Sequence, residues 1–204
     1  CIRDRVHPDK LISNAGASPG DRLVLTKLIG TGALVSGQKN DLAKEVDYRR
    51  ALDQMKALNK KAAEAAGKYG IKGMTDITGF GLAGHALKMA GASGVSFRIR
   101  TSSIPLLPGA YEIFEKGSIP GACFRNQEFT GKDVHFTRSV DYTLKMLMHD
   151  AQTSGGLLMS VSPDLAGPLV EELNSGQDPL HFGSVIATEI GEVLEESPRR
   201  IYFE

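Results

Sequence analysis

Between residues 75 and 81 the chain reads Thr75-Asp76-Ile77-Thr78-Gly79-Phe80-Gly81 and passes directly into helical spacing. That order sets one carboxylate, two hydroxyls and two glycines at the mouth of a helix. The first N–H groups of a helix lack intrahelical acceptors, and the helix dipole favours anions there. A carboxylate beside such N–H groups suits a magnesium-bound polyphosphate, whose metal is held by one or two carboxylates plus phosphate oxygens. Asp76 is the candidate metal ligand, with Thr75, Thr78, Gly79 and Gly81 facing the phosphates; Thr75 and Thr78 either orient Asp76 or pair only with local backbone. The plainer alternative is a strand–turn–helix junction in which Asp76 caps the helix and the glycines serve sharp turns.

A second candidate is the loop Gln152-Thr153-Ser154-Gly155-Gly156. Thr153, Ser154 and Gly155 offer donors and allow close backbone approach to an oxyanion or a facing domain. A tight turn feeding the Leu157-Leu158-Met159 strand is the alternative. Asp150 is either an acceptor behind this loop or a cap of its turn. His85 falls in the first turns of the helix after Gly81, where packing or capping is the ordinary role. His7, His135, His149 and His181 show no zinc-ligand spacing. Met146 and Met148 read as core.

The elements that must position these residues follow from hydrophobic spacing. Residues 22–26 form a short apolar strand, stopped by a Gly30-Thr31-Gly32 turn. Apolar positions recur every three or four residues from Tyr48 through Leu52, Met55, Leu58 and Ala62 to Ala66, which predicts one helix over 45–67. Residues 71–75 supply a strand leading to Asp76, residues 82–90 a helix, and Gly91-Ala92-Ser93-Gly94 its break. Strand alternation covers 95–99, a short helix 108–116, and a long polar loop 117–133. A helix over 140–148, a buried strand over 156–161 and a helix over 163–173 follow. The chain closes with strands over 182–188, 192–194 and 201–203. Helices and strands mingle without a regular βαβ rhythm, so the expected class is α+β with a mixed sheet.

The 204 residues, 41% hydrophobic, can bury one sizeable core. Lysine and arginine together number 24, as do aspartate and glutamate, so no basic field exists to hold nucleic acid. The absence of Trp argues against a stacking platform for single strands. No apolar run approaches the roughly 20 residues of a membrane span. Cys1 and Cys123 lie too far apart in sequence for a metal or disulfide framework, and a reduced, cytoplasmic setting is expected.

The stretch from Thr75 through Leu82 to Ala83-Gly84-His85 resembles the signature of the selenide, water dikinase (selenophosphate synthetase) family. So does Asp150-Ala151-Gln152-Thr153-Ser154-Gly155-Gly156-Leu157-Leu158, where that family usually has Pro at the place of Ala151. Weaker matches keep the same order: His7-Pro8-Asp9 with Asn14-Ala15-Gly16-Ala17, Pro19-Gly20-Asp21 through Thr26-Lys27, Gly30-Thr31-Gly32, Leu106-Leu107-Pro108-Gly109-Ala110 and Arg125-Asn126. The resemblance runs from about Val6 to Gly191. It implies a layered α/β/α domain with partial ferredoxin-like character, the C-terminal domain of the aminoimidazole ribonucleotide synthetase superfamily. Residues 1–20 would be an irregular lead-in from a preceding domain, and 21–204 the C-terminal domain.

The resemblance further implies conversion of ATP, selenide and water to selenophosphate, AMP and phosphate, with Mg²⁺ and K⁺, in a homodimeric protein. Asp76 matches the family's magnesium ligand. The nucleophile (Cys or selenocysteine), an essential Lys and further Asp ligands would lie in an N-terminal domain outside this sequence. Neither Cys1 nor Cys123 sits in the nucleophile's context, so the chain alone is expected to be inactive. Two alternatives stand beside this: another ATP-using member of the superfamily, and a catalytically silent binding or scaffold domain.

Overall fold

The computed structural model describes residues 11–175 and 186–204. Seven strands form one mixed sheet: β1 Arg22–Leu25, β2 Gly73–Asp76, β3 Ser96–Ile99, β4 Val134–Phe136, β5 Leu157–Val161, β6 Thr188–Leu194 and β7 Ile201–Phe203. Their order is β2-β5-β1-β6-β3-β7-β4. The first five in that order pair antiparallel, whereas β7 runs parallel to both β3 and β4.

Strand alternation sends side chains to two apolar layers. Leu23 and Leu25 of β1 enter the larger core, where they join Leu82, Ala83 and Ala86 of α4 (Gly81–Ser93) and Met146 and Leu147 of α7 (Tyr142–Met148). Val24 points the other way, with Met159 and Val161 of β5. It meets Ala62, Ala65 and Ala66 of α3 (Lys60–Lys68) and Leu169 and Leu173 of α8 (Pro163–Asn174). Helices therefore cover both faces of the sheet, as the α+β and layered α/β/α expectations require. None of the helices among the described residues is long and apolar enough to cross a membrane.

Several local expectations need correction. Gly30-Thr31-Gly32 is no mere turn, because α1 (Thr31–Lys39) begins inside it. The single helix over 45–67 is two, α2 (Glu45–Lys56) and α3, separated where Ala57 turns extended with ψ 126°. Leu58, placed on the core face by spacing, is 77% exposed at that break. The expected loop over 117–133 contains α6 (Gly121–Thr130), whose buried residues are Cys123, Asn126 and Thr130. A face made mostly of polar residues gives no apolar period to read. Helix α4 passes through Gly91 and ends only at Gly94, which takes the left-handed conformation suited to glycine at a helix end. The short helix after Pro108 is α5 (Ala110–Glu115), and β4 was not anticipated. Most of the strand expected over 182–188 lies outside the described residues, as do Cys1, His7-Pro8-Asp9 and His181; Thr188–Leu194 runs as one strand.

Candidate functional site

Asp76 is the last residue of β2, an edge strand whose neighbouring strand is β5, where Asp76 is in register with Leu157; a single bridge from Gly73 to Ser13 lies on its other side. It is exposed, and among the described residues no donor bonds its carboxylate. It does not cap α4: that helix has Phe80 at its N-cap and no side-chain cap. Thr75 donates its hydroxyl to the Asp76 carbonyl at 3.2 Å, a local backbone contact. The carboxylate is thus rigidly based and free at its tip.

The two candidate loops, some 75 residues apart in sequence, are zipped together by backbone. Ile77 N–H donates to Gly156 O at 2.9 Å, and Gln152 N–H to Thr78 O at 3.0 Å. Asn126 of α6 locks the arrangement from behind, donating to both Gly79 O and His149 O at 2.9 Å. Gly81 sits at φ 70°, and a Cβ there would lie 2.8 Å from the His149 carbonyl carbon and 2.9 Å from Asp150 O. Close packing of α4 on the end of α7 thus requires a glycine whatever binds beside it. Gly81→Ala is expected to lower unfolding free energy by about 2 kcal/mol or more, from left-handed strain plus a backbone clash. A shift of the urea midpoint checks it.

His85 is buried, with Nε2 3.1 Å from the Thr78 hydroxyl. Burial holds its imidazole below the usual histidine range, Asp76 opposes that shift and Lys88 adds to it. His85 is therefore a neutral packed residue that fixes Thr78. His149 is likewise buried and pushed down by burial; its Nδ1 donates to Lys145 O at 2.7 Å. Phe80 is partly exposed, with Lys88 Nζ 3.8 Å above its ring.

The second motif proves to be a remote helix cap. Gln152 Oε1 accepts from Gly30 N–H (3.1 Å), Thr31 N–H (3.2 Å) and the Thr31 hydroxyl (3.0 Å). Asp150 Oδ2 accepts from Ala33 N–H at 3.1 Å and from Gln152 Nε2 at 3.0 Å. Together they satisfy orphan N–H groups of α1 that a local cap would otherwise take. Asp150 therefore caps α1 rather than its own turn. Being wholly buried, its carboxyl is pushed up to about 7, against the pull of these hydrogen bonds. Cys123 lies against it, Sγ to Oδ1 3.8 Å, and burial, with that carboxylate adding, drives the thiol up to about 12. A thiol so placed is inert at neutral pH.

Thr153 and Ser154 are exposed and Gly155 is buried. Beside Thr153 lies a cavity of about 270 Å³ bounded also by Gly32, Ser36, Lys39 and Pro120. That is the size of a small group rather than of a nucleotide. Sequence reasoning missed Lys27. It is the largest fully buried side chain, 1% exposed, and its Nζ donates to Ala57 O at 2.7 Å and Ser154 O at 2.8 Å. An ionic side chain two residues past the apolar Leu23-Val24-Leu25 run was the available signal. Among the described residues no group of three or more His, Cys, Asp or Glu comes together to hold a metal, so the Asp76 carboxylate belongs to no such cluster.

Residues 18–202 match the family model described as AIR synthase related protein, C-terminal domain. The selenide, water dikinase of Caldanaerobacter subterraneus subsp. tengcongensis is 43% identical over 197 residues, covering 97% of this chain and 55% of that protein. The selenide, water dikinase of Porphyromonas gingivalis is 47% identical over 182 residues, covering 89% and 51%. The chain thus spans about half the length of these curated relatives. Among solved structures, E. coli HypE, a hydrogenase maturation protein, superposes with a TM-score of 0.63 at 19% identity, covering 94% of this chain and 48% of that one. Thiamine monophosphate kinase from Aquifex aeolicus gives 0.57 at 16%, covering 95% and 53%. Identities that low speak for the shared fold alone. The chain belongs to the AIR synthase related family, as a C-terminal domain of it whose curated relatives are selenide, water dikinases.

Proposed function

We propose that this chain is the C-terminal part of a selenide, water dikinase, which converts ATP, selenide and water to selenophosphate, AMP and phosphate. The observation that carries the reading is the 43% identity spread over 97% of the chain to a protein of that name. The exposed, unpartnered Asp76 beside an uncapped helix N-terminus supports it.

The donor set fits one role for magnesium. A single carboxylate suits an ion that keeps several waters and takes its other ligands from phosphate oxygens. It does not suit an all-protein cage. Magnesium, when bound, neutralises charge on the phosphoryl group in transfer. Asp76 would hold the metal, the α4 N-terminus would favour phosphate oxygens, and Thr153 and Ser154 would face the same cleft. Thr78, fixed by neutral His85, would line the floor with Gly79. The nucleophile, the essential Lys and the remaining ligands would come from the N-terminal part of the protein. Potassium as second cation, a homodimer and a cytoplasmic setting complete the reading on the strength of the family resemblance.

The 204-residue chain alone is expected to release no selenide-dependent AMP, whereas the chain joined to its N-terminal part does. Chromatographic AMP measurement with and without selenide tests both halves. AMP from the isolated chain would overturn the half-site reading, and none from the joined protein would overturn the activity.

A further inference from the structure

Lysine is almost never fully buried unless it is paired with an anion. Lys27 is buried and meets only two neutral carbonyls, with no carboxylate partner among the described residues. Burial pushes its pKa below the usual lysine value, and no acidic group opposes that. Keeping a cation in such a place has a desolvation cost that two carbonyls offset only in part. No counter-charge for it lies among the described residues.

The loop above it shows where that charge would sit. Lys27 takes the Ser154 carbonyl, and Asn59 Nδ2 takes the Gly155 carbonyl at 2.9 Å. A trans peptide points its C=O and the following N–H in opposite directions. The Gly155 and Gly156 N–H groups are therefore turned away from Lys27 and Asn59. Neither has an acceptor among the described residues, although both glycines are buried. Buried N–H groups are nearly always paired, so two successive N–H groups without a protein acceptor are open to one from a ligand. Ser154 sits at φ 50°, a left-handed conformation unusual for a side-chain-bearing residue. Asn59 Oδ1 is itself buried and unpartnered, so this side chain is held for its donor and not for a closed network.

We infer that the Gly155 and Gly156 N–H groups form a binding turn for a phosphate-type oxyanion, with Lys27 as its buried counter-charge and Asn59 as a positioning residue. Successive N–H groups turned to one side make the concave anion cradle known as a nest. The inference deepens the proposed function, resting on its reading that the 150–156 loop faces a phosphate-bearing cleft. It assigns the oxyanion's charge partner to a residue that never touches the ligand.

The test uses the ¹⁵N-labelled chain and inorganic pyrophosphate with no divalent metal present. Gly155 and Gly156 amide resonances are expected to shift saturably. Lys27→Met, which keeps the volume and deletes the charge, should weaken the dissociation constant about tenfold. Should that variant not fold, Asn59→Asp, which sets a negative charge under the same turn, should weaken it by a similar factor. A merely structural tie would leave the affinity of a folded variant unchanged, and that result overturns the proposal. Shifts spread over exposed lysines, with no saturation at the two glycines, overturn it too. Because metal is absent, a failure here leaves the Asp76 reading standing, and a failure of Asp76 in magnesium-dependent turnover leaves this one standing.

Discussion

In the chain joined to the N-terminal part proposed for it, Asp76→Asn is expected to lower ATP turnover by more than about tenfold while leaving the melting temperature unchanged. The two halves of that expectation have separate causes. Asp76 is exposed, ends an edge strand and makes no side-chain hydrogen bond among the described residues, so folding loses nothing when its charge goes. A metal ligand is different. Asn keeps the shape and removes the charge that a hard cation demands. A surface hydrogen bond is worth about 1 kcal/mol net, whereas tenfold in rate already corresponds to about 1.4 kcal/mol of barrier. Were Asp76 only a helix cap, Asn would replace it well. Steady-state turnover at saturating magnesium, set beside a thermal melt, separates the cases: near-normal turnover with an unchanged melt rejects the ligand role.

How far the molecule could be read in advance depended on whether a residue's partner lay nearby in sequence. Helix α8 announces itself with Pro163 at its start and apolar residues at helical spacing. The strand ending at Asp76 and the helix beginning at Gly81 are equally local. Helix α1 was missed because its cap is supplied by Gln152 and Asp150, about 120 residues away. The α2–α3 break was missed because Lys27, far upstream, binds the Ala57 carbonyl that a continuous helix would have used. Gln54 adds to it by bonding both N–H and C=O of Leu28. Helix α6 hides because Asn126 and Thr130 occupy its inward face. Asn126 is there to stitch Gly79 to His149, so the polar choice that concealed the helix is what holds the candidate site together. The same holds for the Gln152–Gly156 loop. Its Thr, Ser and Gly were legible as a polar turn, but Gln152, together with Asp150 just ahead of the loop, turns inward to cap α1.

Asp150 should leave a pH signature that no surface carboxylate shares. An unfolded Asp ionises near 3.9, whereas burial raises the folded group to about 7. Below about pH 4 both states carry the proton and the group contributes nothing to pH dependence. As pH rises from about 4 to about 7 the unfolded chain gives up the proton and the folded chain keeps it, so stability falls across this window and is level above it. Surface carboxylates held by cations behave in the opposite sense, gaining stability with rising pH. Comparison with Asp150→Asn isolates the one group. The amide still accepts from Ala33 N–H but sets an N–H₂ toward Gly32 and Cys123, a fixed cost of about 1–3 kcal/mol at every pH. The native chain's advantage over the variant should therefore shrink by about 3 kcal/mol between pH 5 and pH 7.5, at about 1.4 kcal/mol per unit of pH. At the upper end the variant is expected to equal or exceed the native chain. Urea unfolding of both proteins across that range measures the gap directly. A gap that stays constant would mean that Asp150 is ionised in the folded protein throughout, with the α1 N-terminus and Gln152 meeting the whole cost of burying its charge.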